Sequence, residues 1–174
     1  FTDDMDTILS EHGIDLHFGE LAKEYKGEVK VESIVTDKGE YSVDLVINAI
    51  GFLPNNELGK DHLELFKNGA YLVDLHQQTS DPNVYAVGDC ATIYSNALQD
   101  TTYIALATNA VRSGIVAGYN VGGVALESTG VQGSNGISIF GLHMVSTGLP
   151  VEAAAKNGIA VKYTDFEDLQ RPGL

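Results

Sequence analysis

The sequence predicts an α/β fold, and three observations carry that expectation. Residues 45–50, Leu-Val-Ile-Asn-Ala-Ile, form a nearly continuous apolar run that ends in Gly51, the pattern of a strand covered on both faces. Residues 105–118 repeat small and apolar side chains at helical spacing, with Ala107, Ala110, Gly114 and Ala117 in one stripe. Around these two, short β-favouring stretches are separated by Gly, Pro and Asn turn residues.

In chain order, Met5, Ile8, Leu9 and His12 recur at helical spacing after Asp3, and Gly13 stands where a left-handed C-terminal cap belongs. A short amphipathic helix therefore opens the chain. A strand over residues 14–18 and a half-buried strand over 29–36 come next, leading into a Lys38-Gly39 turn as part of a β-meander. The run at 45–50 is the central strand of this first stretch, which Pro54-Asn55-Asn56 closes. Asn68-Gly69 then turns a hairpin between residues 65–66 and 71–73. Residues 84–87, Val-Tyr-Ala-Val, read as another short buried strand, halted by Gly88-Asp89. The small-residue stripe of the 105–118 helix implies close packing on a neighbouring element. Gly122, Gly123, Gly130, Gly133 and Gly136 punctuate the next stretch and place a boundary near residue 121. Past it the pattern predicts strands at 137–140 and 142–145, a helix at 150–157 with Gly158 beyond its end, and a strand at 159–163.

Composition narrows the function classes. A formal charge of -14 over 174 residues opposes attraction to nucleic acid or anionic lipid, so neither is an expected partner. The acidic residues are spread along the chain, as on a solvated surface. No apolar run approaches the roughly 20 residues of a membrane span, and no basic, then hydrophobic leader opens the sequence. The single cysteine, Cys90, excludes an internal disulfide, a dithiol and a multi-cysteine metal site, which fits a reducing, cytoplasmic setting. The five histidines are scattered without ligand spacing, so no metal site is expected. Ser80, Ser95 and Ser113 stand in no nucleophile motif. The start at Phe1 rather than Met, directly in a helical pattern, suggests a fragment or an engineered piece of a longer protein.

Chemistry concentrates at residues 79–91, Thr-Ser-Asp-Pro-Asn-Val-Tyr-Ala-Val-Gly-Asp-Cys-Ala. A turn feeds a short strand, and a glycine without Cβ at its end would let a ligand approach. The next residue, Asp89, offers a carboxylate that accepts hydrogen bonds from hydroxyls. Read from the residues alone, Gly88-Asp89 is either a strand-ending turn or such a ligand-facing pair. Likewise Ala105, Leu106, Ala107 and Thr108 are either packing residues or the start of a helix whose N–H groups and dipole stabilise negative charge.

The segment 84–89 resembles the second FAD-binding motif of the FAD-dependent pyridine nucleotide-disulfide oxidoreductases, an apolar strand followed by Gly-Asp. Residues 48–55, Asn-Ala-Ile-Gly-Phe-Leu-Pro-Asn, resemble the element that closes the NAD-binding domain of the same proteins. Residues 103–110, Tyr-Ile-Ala-Leu-Ala-Thr-Asn-Ala, are similar to the segment after Gly-Asp in the NADH oxidase, NADH peroxidase and coenzyme A-disulfide reductase branch. The resemblance implies that Asp89, with Gly88, meets the flavin ribityl-pyrophosphate region. It implies that Ala105, Leu106, Ala107 and Thr108 start the helix facing the flavin pyrimidine, and that Gly51 lies near the nicotinamide. Residues 145–149 and the Ala-rich stretch after them resemble the start of the homodimer-forming interface domain.

On this resemblance the fold is α/β with partial FAD/NAD(P)-binding, Rossmann-like three-layer domains, followed by the start of an α+β interface domain. Residues 1–55 would be the last part of an NAD-binding domain, 56–120 the returning part of an FAD-binding domain, and 121–174 the opening of the interface domain. The implied reaction passes hydride from NADH to FAD and on to dioxygen or peroxide. NADH peroxidase, coenzyme A-disulfide reductase and a non-catalytic dimerisation module remain as alternatives. No Gly-x-Gly-x-x-Gly occurs in the chain. The family's redox cysteine and catalytic histidine lie upstream of the matched region, so no catalytic residue is assigned here. Cys90 reads as a packing residue.

Overall fold

A computed structural model describes residues 2–167, and it divides into two compact units. The first comprises residues up to Phe52 together with Gly136–Met144. Helix α1 (Thr2–Glu11) opens it, with Asp3 and Asp4 in the first turn, where the positive end of the helix dipole favours them. Gly13 ends the helix at φ +77°, and the Ile14 N–H returns to the Leu9 carbonyl, so the left-handed cap expected at Gly13 is present. Strands β1 (Ala22–Lys26), β2 (Ser33–Thr36) and β3 (Glu40–Ser42) come next as an antiparallel meander in that order. The Lys38-Gly39 turn joins β2 to β3, and the Thr36 N–H bonds the Gly39 carbonyl across it at 2.8 Å.

Several strand expectations in this unit need correction. Residues 14–18 form no strand; they turn back from α1, tied through His17 and Lys38 rather than by a ladder. Of residues 29–36 only Ser33–Thr36 is strand, because 27–32 is the connection that reverses the chain from β1. The run at 45–50 is neither paired nor covered: Ile47 is 81% and Ile50 92% exposed, and among the described residues no strand lies beside it. An apolar run becomes a strand only when neighbouring backbone accepts and donates its hydrogen bonds.

The second unit comprises Leu53–Asn135 and the chain from Val145 onward. Its core gathers Tyr71, Ala86 and Ala91, with Leu63, Leu65, Val73 and Cys90 packed against them. The hairpin at Asn68-Gly69 is formed: Leu65 bridges Tyr71, and Gly69 takes φ +89°. Tyr71 then runs parallel beside Ala91, its N–H on the Cys90 carbonyl at 2.8 Å, while its hydroxyl donates to the Asn56 carbonyl and accepts the Gly59 N–H. Residues 84–87 make one bridge, Gln78 to Tyr85, and bury only Ala86; Val84 and Val87 are each 37% exposed, so this is an edge segment rather than a buried strand.

Strands β4 (Ile93–Ser95) and β5 (Asp100–Thr102) form a small antiparallel hairpin that the sequence pattern did not suggest. Helix α2 (Ala107–Val121) begins two residues later and ends three later than expected. It buries Asn109, Ser113, Val116 and Ala117. The packed face takes only part of the small-residue stripe: Ala117 is buried and Ala110 half-buried, whereas Ala107 and Gly114 are exposed and a Cβ on Gly114 would meet nothing within 4 Å.

Strands β6 (Asn135–Ile139) and β7 (Leu142–Ser146) pair as a hairpin about Phe140-Gly141, both with positive φ as a two-residue turn of the primed type requires. Helix α3 (Val151–Lys156) begins after Pro150 and ends at Gly158, φ +70°. Residues 159–163 are irregular, not a strand, because the Ile159 N–H is spent on the Ala154 carbonyl of the helix end and no strand pairs with the rest among the described residues. The last seven residues of the expected interface domain lie outside the described residues.

Candidate functional site

The Gly88-Asp89 corner is built by the turn before it. Asp81 accepts the Asn83 N–H at 2.8 Å, and the Val84 N–H returns to the Asp81 carbonyl, so Pro82-Asn83 reverses the chain. Thr79 clamps the same turn by donating its hydroxyl to the Val84 carbonyl at 2.9 Å. The chain then leaves along residues 84–87, and Gly88 turns it at φ +73° into a single 3-10 turn, Gly88–Cys90. A side chain here would adopt a backbone conformation that only glycine reaches without cost. The turn also sits against α2, where a Cβ on Gly88 would lie 3.5 Å from the Ala110 Cβ.

Gly88, Asp89, Leu106, Asn109 and Ala110 line one cleft. Two features at or next to this cleft suit an anionic, hydroxyl-bearing ligand. The Asp89 residue is exposed, and its carboxylate accepts no hydrogen bond among the described residues. Helix α2 starts at Leu106 without a side-chain cap and without an acidic residue in its first turn. The Leu106 carbonyl takes the Asn109 and Ala110 N–H groups, and those of Ala107 and Thr108 find no partner among the described residues. An uncapped helix N-terminus carries roughly half a positive charge.

Of the other residues singled out by sequence, Leu106 and Thr108 line a neighbouring cleft with Arg112 and Gly133. Ala105 sits half-buried just ahead of α2, and Ala107 is exposed on its first turn. Gly51 lies in the first unit, exposed, at φ +84° with open space where a Cβ would be. Cys90 is a free, half-buried thiol that donates to the Val87 carbonyl at 3.3 Å and packs on the Tyr71 core.

Sequence reasoning gave no role to three residues that hold this site. Tyr103 donates its hydroxyl to the Asp89 carbonyl at 2.7 Å. Burial first, then the negative charge of Asp89 and the neighbouring Cys90, hold its phenol above the ordinary tyrosine range, so it stays a donor at neutral pH. Asn109 donates Nδ2 to the Ile104 carbonyl at 3.1 Å, and Ser113 accepts the Gly88 N–H at 3.1 Å. The clue available was two polar residues, Asn109 and Ser113, four apart and so on one face of α2. Among the described residues no group of three His, Cys, Asp or Glu is placed to hold a metal ion, and no helix is long and apolar enough to cross a membrane.

Comparison with known proteins gives this geometry its context. The model of the pyridine nucleotide-disulphide oxidoreductase family matches residues 1–114. An NADH oxidase of Lactococcus lactis subsp. cremoris is 67% identical over 173 residues, which are 98% of this chain and 39% of that protein. An NADH oxidase of Streptococcus pyogenes is 60% identical over 171 residues, 98% of this chain and 38% of that protein. Among solved structures, a water-forming NADH oxidase from Lactobacillus brevis bound to NADH superposes with a TM-score of 0.81 at 37% identity, over 91% of this chain and 35% of that one. The fold class is thus the partial Rossmann-like α/β arrangement expected from sequence. The chain spans less than two-fifths of the length of these relatives. With the family model covering well over half of its residues and a relative this similar along almost all of them, the chain belongs to the pyridine nucleotide-disulphide oxidoreductase family.

Proposed function

We propose that this chain supplies part of the cofactor-binding framework of an FAD-dependent NADH oxidase. In the whole protein hydride passes from NADH to FAD and on to dioxygen or peroxide. The observation that carries the reading is the cleft that Gly88 and Asp89 share with Leu106, the residue from which α2 starts without a side-chain cap. A flavin presents both partners: ribityl hydroxyls for Asp89, and a pyrimidine ring for the Ala107 and Thr108 N–H groups, with Ala105 and Leu106 shaping the entry. Bound there, the flavin would supply the two-electron chemistry between NADH and the acceptor. Gly88 lets the cofactor approach the backbone, and Gly51, in the first unit, leaves open space for a nicotinamide.

Residues 1–55, 56–120 and 121–174 are read as parts of an NAD-binding, an FAD-binding and an interface domain. The β6–β7 hairpin and α3 are then the opening of a homodimer contact. A cytoplasmic location agrees with the lone thiol. Catalytic residues are assigned to the part of the protein beyond this chain, and Cys90, tied to the core, is not one of them. Oxidase is preferred to peroxidase and to coenzyme A-disulfide reductase because the Lactococcus and Streptococcus relatives carry the oxidase name.

The test is flavin retention in the full-length oxidoreductase containing this segment. A hydrogen bond to a charged group contributes roughly 1.5–3 kcal/mol, so Asp89→Ala is expected to weaken FAD binding about 10- to 100-fold, with Asp89→Asn milder because its amide oxygen still accepts. Circular dichroism verifies folding. Parent-like retention by folded Asp89→Ala would reduce Gly88-Asp89 to a turn and remove the reading.

A further inference from the structure

We infer that Tyr103 and Ser113 are positioning residues: through a closed circuit of hydrogen bonds and backbone they fix the Gly88-Asp89 backbone, from which the Asp89 carboxylate projects, relative to the start of α2. This rests on the flavin reading of Gly88-Asp89. The ring begins at the Asp89 carbonyl, which receives the Tyr103 hydroxyl at 2.7 Å. One residue on, the Ile104 carbonyl accepts Asn109 Nδ2 at 3.1 Å, tying the loop that carries Tyr103 to the first turn of α2. One helical turn further along the same buried face, Ser113 Oγ accepts the Gly88 N–H at 3.1 Å and donates to the Ala110 carbonyl at 3.0 Å. Gly88 and Asp89 are adjacent, so the circuit closes on itself.

Packing alone does not account for these choices. Asn109 and Ser113 are each 7% exposed. Buried polar side chains cost free energy unless paired, and an apolar residue would cover the same helix face without that requirement. Here each buried polar side chain makes one bond of the circuit, Asn109 to the Ile104 carbonyl and Ser113 from the Gly88 N–H. Both lone-pair and proton capacity of the Ser113 hydroxyl are committed, which fixes its rotamer and hence the direction of the Gly88 N–H. Gly88 is the freest pivot in the turn, and the Asp89 carboxylate beyond it has no hydrogen-bond partner of its own among the described residues. Holding the backbone on both sides of that pivot presents the acceptor and the helix N–H groups at a set separation before a ligand arrives. That preorganisation spares the ordering cost at the moment of binding. The Tyr103 phenol is protonated at neutral pH, as a donor to a carbonyl must be.

The experiment is a double-mutant cycle in the full-length oxidoreductase containing this segment, with FAD affinity of the apoprotein followed by flavin fluorescence and melting temperature recorded alongside. Tyr103→Phe and Ser113→Ala are each expected to weaken FAD about two- to tenfold, the effect of one neutral hydrogen bond. In an Asp89→Ala background Tyr103→Phe should change FAD affinity no further, since it acts through Asp89. A tie that merely stabilised the fold would lower melting and affinity equally in both backgrounds, and that result overturns the inference. Parent-like affinity in both single variants, with Asp89→Ala impaired, also overturns it and leaves the flavin reading standing. Parent-like affinity in Asp89→Ala overturns the flavin reading itself, and the ring falls with it. Tyr103→Phe removes one oxygen and little else, so the cycle can be completed even if Ser113→Ala fails to fold.

Discussion

Residues 45–51 and residues 84–88 are written in the same way: a short apolar run ended by a glycine with positive φ, +84° at Gly51 and +73° at Gly88. Their structures diverge. In the second unit the run finds backbone partners from nearby chain. Gln77 and Gln78 pair with Ala86 and Tyr85 on one side, and α2 closes over Gly88 through Ser113. In the first unit the run finds, among the described residues, only the Tyr25 hydroxyl, which donates to the Asn48 side chain, and Leu45, Ile47 and Ile50 stay in solvent. Local pattern sets a preference for extended backbone, but ladder hydrogen bonds and cover decide whether a strand exists. The two runs differ in where their partners come from rather than in their own residues.

Four substitutions bear on that contrast. The largest effect is expected at Gly27, in the reversal between β1 and β2, which belongs to the three-stranded sheet of the first unit. A Cβ there would lie 1.8 Å from the Lys30 carbonyl oxygen, and φ is +140°. Gly27→Ala is expected to cost about 3 kcal/mol or more, as backbone must move to admit the methyl group. Urea denaturation followed by circular dichroism measures it. Retained stability would mean that the meander adds nothing to the first unit.

Next is a paired comparison. Val116, 8% exposed on α2, should cost about 1–3 kcal/mol when cut to Ala, whereas exposed Ile47→Ala should stay within about 0.5 kcal/mol in the 174-residue chain. If the full-length oxidoreductase supplies strand neighbours and cover to residues 45–50, the same Ile47→Ala should rise there to about 2–5 kcal/mol. Hydrogen exchange gives a second measure: amides at 45–50 should exchange quickly in the short chain while those of α2 are protected. Slow exchange at 45–50 in the short chain would break the comparison.

The smallest effect concerns acid stability of the first unit. Glu20, with a side chain only 6% exposed, accepts hydrogen bonds from the Thr36 hydroxyl, from Tyr41 at 2.9 Å and from His17 at 3.1 Å. The Thr36 bond foremost, then those from Tyr41 and His17, hold its carboxyl below the usual range against the opposing effect of burial. A depressed carboxyl contributes stability that is present above its unfolded value of about 4.3 and is lost as pH falls through the lower folded value. Glu20→Gln should therefore narrow its deficit relative to the parent as pH falls from about 5 toward about 3, read as melting temperature against pH. A constant gap across that window would show that the carboxylate charge is not what the cluster uses.

How far the sequence was legible depends on the distance over which each feature closes. Caps and turns were readable because their chemistry lies within a few residues: Gly13 after α1, Asn68-Gly69, Pro82-Asn83 and Gly158 after α3 all stand at reversals or ends. Strand β1 was not readable, since Ala22–Lys26 has all five residues exposed and so shows no alternation of apolar and polar groups. Of the site, Gly88, Asp89 and the start of α2 were legible through a short motif. Tyr103, Asn109 and Ser113 were not assigned roles, because a hydrogen bond between residues 14 or 25 apart leaves no periodic trace.

By itself the sequence determined the class of the chain, its family and the positions at which backbone must turn, because composition, short motifs and glycine placement act locally. Only the tertiary structure decided which apolar runs became strands, which face of α2 was buried and what holds the Asp89 corner. Those outcomes depend on partners brought in from elsewhere in the chain, and the free energy of a strand or a buried polar group is set by what lies across from it.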